Sequence, residues 1–331
     1  MSFIAFDFFF NQFLFILSSF CPPTAMNLNL KRWQVTVEVN RKLRHNELKI
    51  MQDYAKHHFR QHLWGDHKVE DVVLLAMYKD LYGFGYRAIE ERINFGYKIT
   101  HHSLEHNIPL IRECLRGWAE TVIVPGNSTE WKAARSGLKL GSKVNDGNLW
   151  MDSTDFPVSG KVSTSRKSPR WSFKLNGPGR RYMMVFDAKG CAKFIWGGYS
   201  PKRHDSDTLG IIRQQMESDF RGGVVIADNH FRSGSKHFVS VKFHTNYALK
   251  ESGKKRKRNE DPFEDTVDNI TRDQARYNEQ HQAARARVES PFGSVKKKWV
   301  SLDQPWNESD EQLDCAVFVA VACLVVTLSF A

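Results

Sequence analysis

Near Asn148 the spacing of apolar residues changes period, and this change constrains the fold more than any composition figure. Upstream, apolar side chains recur at three- and four-residue intervals, the stripe of a helix; downstream they come as short runs punctuated by Gly and Asn. In the first part, Leu43, Met51, Ala55, Phe59 and Leu63 predict one basic amphipathic helix over 41–64. Val69, Val72, Val73, Ala76 and Met77 share a face of a second helix that stops at Gly83-Phe84-Gly85. Tyr86, Ile89 and Ile93 mark a short third helix ended by Gly96, and THHSLEH opens a further helical stretch. Pro109 lacks an amide hydrogen, so the helix carrying Leu110, Ile111, Cys114, Leu115 and Trp118 is expected to start afresh with Asn107 as its cap.

After Asn148 come LWMDSTDFPV, RWSFKLN, RYMMVFDAKG and CAKFIWGGY, then a helical pattern over 208–220, the strand-like GGVVIADN, and a helix over 272–288 with Tyr277, His281, Ala284 and Val288 on its inner stripe. Hairpin strands followed by alternating helix and strand give an α/β fold, a mixed sheet flanked by helices. The division is therefore a helical region over 27–145 and an α/β domain over 146–331, the latter interrupted by a basic-to-acidic loop at 250–268. Residues 1–26 are Phe-rich, lack a basic start and carry Asp7 within their apolar run, so they read as an extension of no structural duty, not as a signal peptide. The uncharged run 315–330 is shorter than the roughly 20 apolar residues of a spanning helix and is expected to be a buried terminal helix beneath the sheet, with no membrane partner. A membrane-anchored basic protein using both apolar ends is the rival reading.

Lys and Arg exceed Asp and Glu by 48 to 37, a net charge of +11, which points to a polyanionic partner such as nucleic acid or an anionic membrane. Five scattered cysteines without a CxxC pair argue against a zinc ribbon or a disulfide scaffold. Helix, Gly turn and short helix at 69–95 read as a helix-turn-helix that would turn Arg87, Lys98, His101 and His102 towards double-stranded DNA, although a plain helical bundle shows the same pattern. The stretch 161–181 holds seven basic residues and no acid, with Arg170 and Lys174 as candidate contacts to a phosphate backbone. Lys254, Lys255, Arg256, Lys257 and Arg258 have the composition of a nuclear-import signal, against the plainer reading of a solvated charge run.

Three acids stand where an acid is costly unless used. Asp152 interrupts an apolar strand, Asp228 ends the most hydrophobic one, and Glu289 follows Val288 on the inner stripe of a helix. Converging carboxylates suit Mg2+ or Mn2+, hard ions that take oxygen ligands. A pair of such ions about 4 Å apart supports displacement at a phosphodiester.

The ordered text WMDSTDFPV, RWSFKLNGPGRRYMMVFDAKG, GGYSPKRHDSDTL, VVIADNHF and ARVESPFGSVKKKW resembles the DDE-type endonuclease domain of Harbinger-like transposases, over roughly residues 70–325. The resemblance implies an RNase H-like fold with Asp152, Asp228 and Glu289 as the catalytic, metal-binding triad. It also implies a nuclear enzyme that cuts and joins DNA by two-metal catalysis, with a Myb-like DNA-binding partner protein. A homo-oligomer is a separate expectation, not one the resemblance carries. A catalytically inactive, domesticated DNA-binding protein of the same fold is the alternative. Here Asp152 is followed by Ser-Thr-Asp where Gly-Thr is commoner, and Asp155, on the opposite strand face, is not expected to be a ligand. Pro291 is expected to end or kink the helix beside Glu289, with Lys296 reaching the same phosphate if the helix resumes. His204 and Asp205 are candidates to support the metal or to cap the helix near Thr208, Asp207 being the better cap.

Overall fold

The computed structural model describes residues 30–43, 46–127, 129–130, 147–159, 165–246 and 272–329. The extension 1–26 and the basic run 254–258 lie outside the described residues. The helical region begins with α1 (Arg32–Lys42) and α2 (Glu47–His58), which bury Val35 and Val39, and Leu48, Met51 and Ala55. The single helix expected over 41–64 is thus shortened to α2, with α1 ending just inside its start and Phe59 in extended backbone. Leu43 is already extended and Asn46 takes a left-handed φ of 59°, a conformation that Asn tolerates better than most residues.

The next helix, α3 (Val69–Tyr82), is the hub of the bundle, with every residue from Asp71 to Leu81 buried. It ends at Gly83, whose φ of +72° Gly adopts without the strain a Cβ brings; a Cβ there would also stand 2.9 Å from the Gln304 side chain. This burial corrects the expected helix-turn-helix geometry. A helix enclosed on all sides cannot cross a DNA backbone, although α4 (Tyr86–Arg92) leaves Arg87 exposed, as the following loop leaves Lys98.

α5 (His101–Val122) runs without interruption through Pro109, and its cap is Thr100, whose hydroxyl accepts from the Ser103 amide at 3.1 Å. The expected restart at Asn107 does not occur. That side chain is buried and spends its amide on the backbone of Trp64, accepting at 2.8 Å and donating at 3.0 Å. A proline at the ninth position removes one intrahelical bond and leaves enough packing to carry the helix past it.

The sheet is built from β1 (Leu149–Pro157), β2 (Trp171–Ser172), β3 (Gly177–Asp187) and β4 (Ala192–Tyr199), then, after α6 (Asp205–Asp219), β5 (Val224–Ala227) and, after α7 (Arg232–Ser235), β6 (Lys242–His244). β4, β3 and β1 are antiparallel neighbours; β1, β5 and β6 are parallel; β2 adds to the first residues of β3. A sheet of order β4-β3-β1-β5-β6, antiparallel on one side and parallel on the other, flanked by helices, is an RNase H-like fold. α6 begins earlier than the sequence suggests. His204 occupies the cap position without a side-chain bond, so Asp205 and Asp207 lie in the first turn, where acids suit the helix dipole.

α8 (Arg272–Lys298) continues through Pro291 for 27 residues, so the expected end beside Glu289 is also corrected. Its second half stays anchored by buried Phe292 and Val295. After the short α9 (Val300–Asp303), α10 (Asp310–Ser329) packs on α5 and β4 as the anticipated buried terminal helix.

Strand alternation sorts the core into two layers. Leu149, Met151, Met183, Val185 and Val225 face α6 through Leu209, Ile212 and Met216. Trp150, Phe156, Tyr182, Met184, Phe186 and Ile226 face the other way, in one continuous core with α3, α5, α8 and α10. A buried ionic knot joins this core to the loop before α10. Fully buried Arg112 of α5 grips Asp80 of α3, its Nε donating to Oδ2 at 3.0 Å, and also bonds Glu308, which Lys79 meets at 2.6 Å. Trp306 lies under the Arg112 guanidinium, and its backbone bridges to β1, donating to Pro157 O at 3.0 Å and accepting from Ser159 N at 2.7 Å.

Burial would raise the Glu308 carboxyl, but Arg112 and Lys79 outweigh it and hold the group at about 2, below its ordinary 4.5. That difference corresponds to about 3 kcal/mol of folding free energy. It is present in full above pH 4.5 and is lost as pH falls towards 2. Glu308→Gln is expected to cost about 3 kcal/mol at neutral pH and to flatten this acid-side loss. Denaturant titrations at a series of pH values measure both, and an unchanged acid profile would remove Glu308 from that role.

Candidate active site

The parallel pairing of β1 with β5 decides where the first two acids fall. Met151 pairs with Ala227 and Trp150 with Ile226, so the next pair in register is Asp152 and Asp228. Both share the parity of Trp150 and Ile226, the face that α8 covers. Each aspartate is steadied by the amide that follows it: Ser153 N donates to Asp152 Oδ1 at 2.7 Å and Asn229 N to Asp228 Oδ1 at 2.5 Å.

Over this pair lies Arg285 of α8, with Nη1 3.1 Å from Asp228 Oδ2 and Nη2 3.5 Å from Asp152 Oδ2. Burial pushes the Asp152 carboxyl above its ordinary value. Lys174, the Ser153 amide and Arg285 pull it back, while the neighbouring charge of Asp228 pushes it up again.

α8 is tied along the parallel half of the sheet. His281 shares a hydrogen bond of 3.0 Å with His244 O at the end of β6, and the Trp150 indole donates to Ala284 O at 3.0 Å. Further on, the Lys296 ammonium donates to Asp155 O at 2.8 Å and packs on Phe156. Between these last two ties the helix advances twelve residues, about 18 Å, while β1 advances five, about 16.5 Å, so the two run side by side in one direction. Glu289 is five residues past Ala284, about 7.5 Å along, which sets its backbone level with Asp152. It lies four residues after Arg285 and seven before Lys296, on the flank that carries both. The Glu289 side chain lies outside the described residues.

The other expected residues are distributed as follows. Asp155 is buried on the opposite face in a pair with Arg181, at 2.6 and 3.0 Å, and accepts from Ser172 Oγ at 2.5 Å. Arg181 also meets Asp205, which gives Asp205 a structural duty away from the other two aspartates. Arg170 is engaged by Asp310 at the start of α10, at 2.6 and 3.1 Å. Lys174 is exposed and donates to Ser153 O at 2.9 Å, next to Asp152. Arg87 and Lys98 lie on the exposed surface of the helical region. Sequence reasoning missed Arg285, Trp150 and His281. Arg285 had a readable signal in its position one helical turn before Glu289.

Among the described residues no group of three metal-binding side chains occurs. The pair that is described nonetheless fits a divalent ion. Two oxygen-bearing carboxylates meet on one face with a cation already drawn between them, a donor set suited to Mg2+ or Mn2+.

Residues 151–326, more than half of the chain, match the family model described as DDE superfamily endonuclease. No curated protein and no solved structure matches the chain.

The two faces of β1 should answer differently to substitution. Asp155→Asn strips a buried carboxylate from Arg181 and is expected to cost about 3 kcal/mol or more. Asp228→Asn removes one of two neighbouring like charges while Arg285 keeps Asp152, and is expected to change stability by less than about 1 kcal/mol. Urea unfolding of the two variants separates them; equal losses would make Asp228 a structural residue.

Proposed function

This chain belongs to the DDE superfamily endonucleases, and we propose that it cuts and joins phosphodiester bonds of double-stranded DNA as a Harbinger-like transposase. The observation that carries the reading is the register that sets Asp152 beside Asp228 on the face crossed by α8. In this reading Asp152 and Asp228 hold Mg2+ or Mn2+, and Glu289, level with Asp152 on the helix, completes the set. Such ions lower the pKa of an attacking water or 3′-hydroxyl and stabilise the oxygen that leaves. The protein supplies position. Trp150 and His281 fix the helix, and the amides of Ser153 and Asn229 aim the two aspartates.

Cations around the site serve the polyanion. Lys174 stands exposed beside Asp152, and Arg87 and Lys98 extend the positive surface over the helical region. Arg170 and Lys296, tied to Asp310 and to the Asp155 carbonyl, act on DNA only through the elements they hold. The run 254–258 is assigned to nuclear import, and a Myb-like protein and a second copy of the chain are the proposed partners. A catalytically inactive, DNA-binding relative is the second reading. It is favoured by Arg285, which already pairs both aspartates.

Nicking of supercoiled plasmid by the full chain in Mg2+ tests the first reading. Asp228→Ala and Glu289→Gln are each expected to lower the rate by more than about a hundredfold while salt-sensitive DNA binding persists. Binding by the unmodified chain with no Mg2+-dependent nicking would give the protein to the second reading.

A further inference from the structure

We propose that Arg285 is a resident counter-cation that holds Asp152 and Asp228 together in the metal-free chain and must swing away for a divalent ion to bind. The inference rests on the reading of these two aspartates as metal ligands. Neighbouring parallel strands lie about 4.8 Å apart, so two carboxylates in register on one face repel unless a positive charge lies between them. Arg285 supplies that charge, one guanidinium nitrogen to each acid.

Its hold is loose compared with Arg112 and Arg181, which each keep one carboxylate in a two-pronged grip; Arg180, 15% exposed, is likewise split, between Asp310 and Asp314. Arg112 is wholly buried and takes Asp80 in a two-pronged grip. Arg181, 11% exposed, takes Asp155 at 2.6 and 3.0 Å. Arg285 is 22% exposed, and its contacts at 3.1 and 3.5 Å are split between two residues, the longer one at the limit of a hydrogen bond.

The backbone beneath it is fixed, by Trp150 on Ala284 O immediately before it and by His281 one turn back. The side chain can therefore leave without moving the helix, and the helix can keep Glu289 in place while it does. A divalent ion entering the pair competes with this guanidinium, so the affinity of the site for metal is set against the strength of the Arg285 bridge.

Mn2+ binding to the full chain, read from the electron paramagnetic resonance signal of free Mn2+, tests the exchange without any measurement of activity. Arg285→Gln is expected to bind Mn2+ about tenfold more tightly than the unmodified chain, the equivalent of one competing charge-assisted hydrogen bond. Arg285→Lys, whose single ammonium faces one carboxylate well and the other poorly, is expected to fall between them. It carries the test if the Gln variant does not fold. In chelator, Arg285→Gln is expected to melt below the unmodified chain and to recover on addition of Mn2+. Unchanged or weaker Mn2+ binding in both Arg285 variants, with binding by the unmodified chain lost in Asp228→Asn, would overturn the exchange and leave the metal site standing. Absence of Mn2+ binding in every variant would overturn both.

Discussion

Like charges brought together by strand register are the central constraint on this fold. The β1–β5 pairing places Asp152 beside Asp228 through backbone hydrogen bonds alone, and the repulsion between them is left for other elements to answer. α8 answers it. It crosses the same face with Arg285 over the pair and is tied before and beyond that point to β6, β1 and the Asp155 carbonyl. A helix held at several points along a strand keeps a fixed phase, so residues on one of its flanks meet successive positions of β1 in order.

The helical region is joined to the sheet through a chain of contacts. Arg112 and Lys79 converge on Glu308; Trp306, two residues before, hydrogen-bonds to the end of β1. Four charged groups withdrawn from water this far are costly to desolvate and become favourable only with near-complete pairing, which Arg112 and Lys79 find in Asp80 and Glu308. The bundle therefore has little freedom to shift against the sheet at this seam.

Much of the architecture was legible because its signals are local. The apolar stripe from Val69 to Met77 and its Gly83 stop give α3, and the alternating runs from Leu149 onward give the strands. Local text failed where a tertiary partner overruled it. Pro109 and Pro291 read as helix ends, but packing on both sides carries the helices through. Asn107 read as a cap, but its amide is committed to Trp64, far away in sequence. Asp152 and Asp228 stood out as acids in apolar strands; that they share a face follows from a parallel register spanning 76 residues, which pattern alone does not impose. Arg285 stands one helical turn before Glu289, a spacing that puts both on one flank, but its sequence neighbours do not tell which carboxylates the helix will carry it to.

The seam between α5 and α10 bears on how the protein can be divided. The family match starts at residue 151, after the whole helical bundle. A fragment cut to that boundary would leave α10 with its apolar side uncovered where α5 packs, and Glu308 stripped of both its cations. Such a fragment would carry its own aggregation surface, so the matched segment is not by itself a unit of folding.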